Sequence, residues 1–503
     1  MKQLRLFERI GLVAHPLFAS LGSGMLIWGP FAGRWPIAVL VGVVVGLMFG
    51  WLRWWQQAKS PEARRRQRWV LWLLHGLLVL GWAAAVLLPL YRLNIVFPAT
   101  SDRQANFDRL WRAMDAYYPY FALKGVAWDE AYQRYAPQVA DASDDAAYWK
   151  LVAEMLAELQ DGHTNLQSPA RQQGRIFFGT ARVMGAEVVV DQVSQAARQA
   201  GLEPCAVLVA VDGRPLEEVL DAVPAILTAS STPHNRRALA AFNVLSSTVP
   251  QMEVTVLDAN GQPQTVALIQ QPETAASAAS GSRERPPAIQ TERLPSGLGL
   301  IKINAFWSDD DLVAAFDAAL NDLFAAPGLI IDVRGNGGGN QLLADQMAAR
   351  LLDAPFTYGR DHFAGRMPQR GWLPGISFRL TPRAPIYHGP VAVLIDERSF
   401  STTEQFVVAL VDSGRATTVG RPTGGGSGNP VRFDLTGGAF VRFSTADFRR
   451  TDGRPIEGMG IVPDLPVNLR ASYCNGPDRD REAAEALLLG KARRLAVHTE
   501  DEQ

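Results

Sequence analysis

VAVLIDERSFSTTEQFVVALVDSGR, residues 391–415, decides the fold. Its first five residues are apolar and rich in β-branched side chains, as in a short buried strand; DERSF is polar, as in a turn. From Thr402 on, apolar residues recur at three and four, as in a helix. A strand, a sharp turn and a helix with Ser401 at the junction is a layout that exposes a hydroxyl at the end of a sheet. A plainer reading competes. Ser and Thr gather at helix starts because their oxygens accept free backbone N–H groups, and Glu404, three residues on, completes a capping box. A nucleophile needs more: a base for its proton, a group that orients the base, and donors for the oxyanion.

Around this stretch the same pattern repeats. LGLIKI (298–303) and GLIIDVR (328–334) read as strands, while 311–324 and 341–352 read as helices. Such alternation predicts an α/β layer domain. The turn after GLIIDVR is RGNGGGN (334–340), and a second glycine run, PTGGGSGNP (422–430), follows the strand TTVGR. Glycines at strand ends let backbone N–H groups approach a ligand closely, but the lysine and hydroxyl of a phosphate loop are missing. Two such turns at neighbouring strand ends predict a crowded cleft. Upstream, 104–160 carries three helical stretches that stop at LQDGHTNL. From 174 to 272 the period shortens toward two, predicting a separate β-rich module. TAASAASGSRERPP (274–287) is a linker by composition.

The 503 residues carry a net charge of −1, so no basic surface for nucleic acid is advertised and no nucleic-acid partner is expected. Residues 11–32, 36–52 and 69–91 are apolar and almost free of charge, each near the ~20 residues a bilayer core needs. They predict three membrane spans. The loop 53–68 holds Arg53, Lys59, Arg64, Arg65, Arg66 and Arg68 against Glu62, and the N-terminus carries Lys2, Arg5 and Arg9, whereas 33–35 offers only Arg34. Positive-inside bias then puts the N-terminus in the cytoplasm and everything after Tyr91 outside it.

Cys205 and Cys474 are the only cysteines. They could pair in an oxidising compartment, but two cysteines so far apart in sequence form no disulfide framework, and the expectation is that they stay unpaired small hydrophobes. With scattered histidines at no ligand spacing, no metal or organic cofactor is expected. A lysine base is disfavoured because no lysine stands between Lys302 and Lys491. Of the seven histidines, His163 stands out: DGHT lies where a helix ends and a turn begins.

In their order, LQDGHT, ARQAGLEPCAVLVAVDGRPL, DVRGNGGGN, SFSTTEQFVVALVDSGRATTVGRPTGGG and DGRPIEGMGIVPDLPV resemble the C-terminal-processing, or tail-specific, serine peptidases. The resemblance implies Ser401 as nucleophile. Where the processing branch has a lysine, this chain has Gly426, so it is more similar to the branch of the tricorn core and the interphotoreceptor retinoid-binding protein. That branch implies His163 as base and Glu457 as the carboxylate that helps orient it, although its serine before the histidine is Gly162 here. The oxyanion would rest on the N–H groups of Thr402 and of Gly337 or Gly338.

The implied architecture is multidomain: transmembrane α-helices (1–98), a helical domain with DGHT (99–168), a PDZ-like β module (169–273), a linker (274–290), a crotonase-like α/β spiral peptidase domain (291–470) and a C-terminal helix and tail (471–503). The expected function is a membrane-anchored serine peptidase that hydrolyses protein or peptide substrates outside the cytoplasm, in the periplasm if the cell is Gram-negative. The alternative is a catalytically inactive ligand- or peptide-binding protein on the same scaffold.

Overall fold

The computed structural model describes residues 96–97, 99–169, 176–257, 261–270, 287–307, 311–363 and 375–500, besides Ser60. The three apolar stretches expected to span a membrane lie outside the described residues. Among the described residues no helix is long and apolar enough to cross a bilayer.

A six-stranded sheet organises the C-terminal half. Its order is Ile289–Arg293, Gly299–Ile303, Leu329–Asp332, Val391–Ile395, Ala416–Gly420 and Leu465–Pro466, the first pair antiparallel and all others parallel. The strands Leu329–Asp332 and Val391–Ile395 are buried at every position, because helices cover both faces of a parallel sheet. On one face Phe316, Leu320, Met347, Phe406 and Leu410 pack against Ile301, Ile331 and Val393. On the other, Ala484 and Leu488 of the helix Arg479–Glu500 pack against Ile330, Ala392 and Leu394. The expected C-terminal helix is therefore part of the core of the α/β domain. Parallel strands feeding helices leave their carboxyl ends open, and the two loops that carry the site, 333–340 and 396–401, leave from adjacent strands there.

The helical part, Arg103–Tyr117, Phe121–Lys124, Trp128–Ala140 and Asp145–Ala157, does not close its own core. Phe107, Met114, Trp128 and Val152 pack with Phe433, Val441 and Phe443 of the strands Val431–Asp434 and Phe440–Phe443. The latter strand pairs with Asn165–Gln167, just after DGHT. The boundary expected at residue 168 is thus crossed: a hairpin from within 291–470 completes the upstream domain, and a long-range pairing of this kind leaves no local mark in sequence. Likewise Ile289 already belongs to a strand, inside the expected linker.

The module 176–270 is β-rich as expected, with the sheet order Pro263–Ile269, Gln251–Leu257, Val207–Val211, Glu187–Val193 and Gly179–Met184. It also contains the helix Pro233–Asn243, capped by the Thr232 hydroxyl. Cys205 and Cys474 are joined in a disulfide, against the expectation that they stay unpaired. Folding brings the turn before Val207 onto the segment after the α/β domain, so 269 residues of separation become 5.6 Å between Cα atoms. Cys205→Ser is expected to lower stability by about 2–5 kcal/mol, read as a fall in melting temperature that reduction of the wild type reproduces.

Candidate active site

Ser401 sits at φ 63° and ψ −125°, a left-handed backbone that side chains other than glycine rarely adopt. Such strain costs roughly 1–3 kcal/mol and persists only where surrounding bonds enforce it. Here they do. Asp396 Oδ1 accepts the N–H groups of Gly335, Arg398 and Ser399. The buried Asn336 takes the Phe400 N–H and the Thr403 hydroxyl on its carbonyl and donates its amide to Ile303 O. The two loops are thereby locked to each other. The expected capping box forms as well, with the Ser401 N–H donating to Glu404 Oε2 at 3.0 Å. The capping and nucleophile readings describe one residue, since its hydroxyl lies 2.7 Å from His163 Nε2.

His163 is buried on a turn that Asp161 holds. The Asp161 carboxylate accepts the His163 N–H at 2.8 Å, the Thr164 hydroxyl at 2.7 Å and the Ser444 hydroxyl at 2.8 Å. Burial pushes the imidazole down to about 4; the Asp161 charge opposes this and Arg442 adds to it. A neutral imidazole is the form that can accept a proton from serine.

Glu457 is not brought to the imidazole. Its carboxylate is fully buried, pairs with Lys124 Nζ at 2.7 Å, accepts the Ser427 N–H at 3.0 Å and bonds the Ser231 hydroxyl. Ser231 Oγ in turn accepts the Gly162 N–H at 3.1 Å, while His163 Nδ1 has no hydrogen-bond partner among the described residues. The expected contact is therefore replaced by a connection through Ser231 and the backbone before the histidine. Burial and Asp161 push the Glu457 carboxyl up to about 8, against the pull of the Lys124 ammonium. No sequence signal pointed to Lys124 or Ser231, which arrive from the helical part and from the β-rich module.

Glu404 does more than cap. Fully buried, it also accepts the Thr423 hydroxyl and the N–H groups of Gly425 (2.8 Å) and Gly426 (2.9 Å), so it shapes the second glycine turn. Of the oxyanion candidates, the Gly338 N–H is bound to Asn336 Oδ1 at 2.9 Å, which leaves Thr402 and Gly337. Gly338 must be glycine: at φ 99° a Cβ there would lie 2.8 Å from Ser401 Cβ. Gly426, at the position where a lysine base would stand, is hemmed in too, since a Cβ there would meet the Phe400 ring at 2.0 Å. Gly426→Lys is expected to create no alternative base and to lower stability by about 1–3 kcal/mol, measured by thermal melting beside activity. Among the described residues, no cluster of histidine, cysteine, aspartate or glutamate could hold a metal ion.

A hydroxyl against a buried neutral imidazole, at a strained strand-to-helix turn, is the arrangement of a serine hydrolase. Residues 297–467 match peptidase family S41, and residues 99–157 match the tricorn protease C1 domain. The chain is 25% identical over 409 residues to the putative tricorn protease homolog 2 of Streptomyces coelicolor, across 74% of this chain and 31% of that protein, so it spans under a third of that relative. It is 24% identical over 392 residues to the chloroplastic C-terminal processing peptidase of Tetradesmus obliquus, across 74% of this chain and 78% of that one. Among solved structures, mature CPAF complexed with lactacystin matches with a TM-score of 0.61 at 15% identity, over 80% of this chain and 99% of that one, a likeness of fold. The class is therefore serine-type peptidase. The peptidase match falls on the α/β domain that carries Ser401, and the tricorn C1 match falls on the helical part ahead of it.

Proposed function

We propose that this protein is a membrane-anchored peptidase that cleaves peptide bonds outside the cytoplasm through Ser401, His163 and Glu457. The observation that carries the reading is the 2.7 Å contact between Ser401 Oγ and His163 Nε2. Ser401 attacks the peptide carbonyl while His163 takes its proton and later gives it to the leaving amine. The oxyanion is held by the N–H groups of Thr402 and Gly337, each donor worth about 3 kcal/mol. Glu457 favours the useful imidazole orientation through Ser231 and Gly162. The likeness to a C-terminal processing peptidase supports a protein substrate.

Three apolar stretches and the basic loop 53–68 support the anchor and its orientation. The Cys205–Cys474 disulfide suits an oxidising compartment. A reporter active only outside the cytoplasm, fused after Pro98, is expected to be on, and one fused near Arg65 off; the reverse pattern overturns the topology. For the chemistry, a fluorophosphonate probe should label the intact protein and leave Ser401→Ala unlabelled. Ser401→Asp keeps a good helix cap and should be folded and unlabelled. Equal labelling of wild type and Ser401→Ala sinks the nucleophile. No labelling of either favours the ligand-binding alternative.

A further inference from the structure

The residue before the nucleophile, Phe400, lies against the base. Its ring stacks on the His163 imidazole, with centroids 4.7 Å apart and planes inclined by 28°. Glycines from two other loops make room for it. A Cβ at Gly162 would stand 2.5 Å from the Phe400 ring, one at Gly424 2.7 Å and one at Gly426 2.0 Å. None of these three glycines has a left-handed backbone, so space rather than dihedral freedom requires them. The Phe400 backbone is held in turn, its N–H donating to Asn336 O at 3.0 Å and its carbonyl accepting the Thr403 N–H at 3.2 Å.

We propose that Phe400 is a positioning residue for the base: its ring fixes the imidazole plane so that Nε2 faces Ser401, and it walls that imidazole from water. The proposal rests on His163 being the base. A carboxylate bonded to Nδ1 would ordinarily set the ring plane, and here Nδ1 has no such partner among the described residues. The flat face of Phe400 supplies the constraint instead. It also fills the volume into which a side chain at 426 would extend, so imidazole and lysine bases are mutually exclusive in this site.

The charged and titratable groups around His163 are few. Asp161 stands on its own turn and Arg442 on the strand Phe440–Phe443. Glu457 and Tyr118 each interact with Asp161. From the β-rich module, His234 is turned to Thr423 O at 2.7 Å. From the helix after Ser401, Glu404 is held by the N–H groups of Gly425 and Gly426. Desolvation is the largest influence on His163, so removing an apolar wall should move its titration more than any change in these charges.

The test is the rate of fluorophosphonate labelling of the full chain as a function of pH, a reaction that needs no knowledge of the natural substrate. Wild type is expected to keep its rate as pH falls until about 4. Phe400→Ala should label about 10²-fold more slowly at neutral pH, with the acid limb displaced upward toward the ordinary imidazole value of about 6.5. Phe400→Leu keeps an apolar wall without a flat face, so its limb should stay low while its rate falls at least about fivefold. A folded Phe400→Ala that labels at the wild-type rate with an unmoved limb overturns the proposal. Should Phe400→Ala not fold, Phe400→Leu decides alone, and a rate within about twofold of wild type overturns it. Failure of the underlying reading looks different: His163→Ala would then label as fast as wild type, whatever Phe400 does.

Discussion

His163→Ala is expected to cost about 10⁴-fold or more in turnover, with little change in substrate binding and a normal melting transition. The imidazole is the group in contact with Ser401 Oγ, and no lysine lies within the surrounding loops to replace it. The pH dependence follows with a definite sign. Folding depresses the imidazole pKa to about 4, so the base stays unprotonated below the ordinary value of 6.5 and activity is lost only as pH falls through about 4. An ordinary exposed histidine would lose activity more than two units higher. Steady-state hydrolysis of a peptide substrate, beside the melting curve, checks both points. A purified, folded His163→Ala that hydrolyses at near the wild-type rate removes His163 from the mechanism.

Above about pH 8, where the Glu457 carboxyl is ionised, breaking the Lys124–Glu457 pair is expected to lower stability by about 3–5 kcal/mol. Both groups are almost wholly removed from water, so once Glu457 is ionised, deleting one partner strands the charge of the other in a low-dielectric interior. Glu457→Gln should therefore melt earlier than wild type, while costing less activity than His163→Ala, because the carboxylate acts at one remove from the imidazole. Lys124→Met should melt earlier in the same way. The double variant Lys124→Met/Glu457→Gln should recover most of that stability, since no uncompensated charge remains. Denaturant melts of the two single variants and the double, run above about pH 8, decide this. Losses that simply add would show the pair to be uncoupled. Recovery of stability without recovery of activity would separate the role of Glu457 in the site from its role in folding.

Several features were legible from residue order alone because they are local. The alternation of apolar runs and helical spacing in 298–420 fixed the α/β layers, since each strand must bury both faces and each helix one. Ser401 was visible as the junction of a strand and a helix, and RGNGGGN as a strand-end turn. His163 stood out because DGHT ends a helix. Glu404 was seen as a cap, but its grip on Gly425 and Gly426 was not, because those glycines return from beyond another strand.

The tertiary structure decided whatever depends on distant parts of the chain meeting. Lys124 lies 333 positions from Glu457 along the chain, and Ser231 comes from a separate module, yet both close around the same carboxylate. Cys205 and Cys474 looked like two unrelated small hydrophobes until folding set them together. The helical segment read as a domain of its own, although the hairpin 431–443 supplies part of its core. Phe400 looked like one apolar residue in a polar turn. Its role against His163 follows from glycines at 162, 424 and 426 vacating the same space from two directions. Periodicity reports which face of an element is buried, because that is set by neighbours three or four residues away. It carries no record of which distant side chain fills that face, because a buried charge or ring is satisfied by whatever the packed chain brings to it.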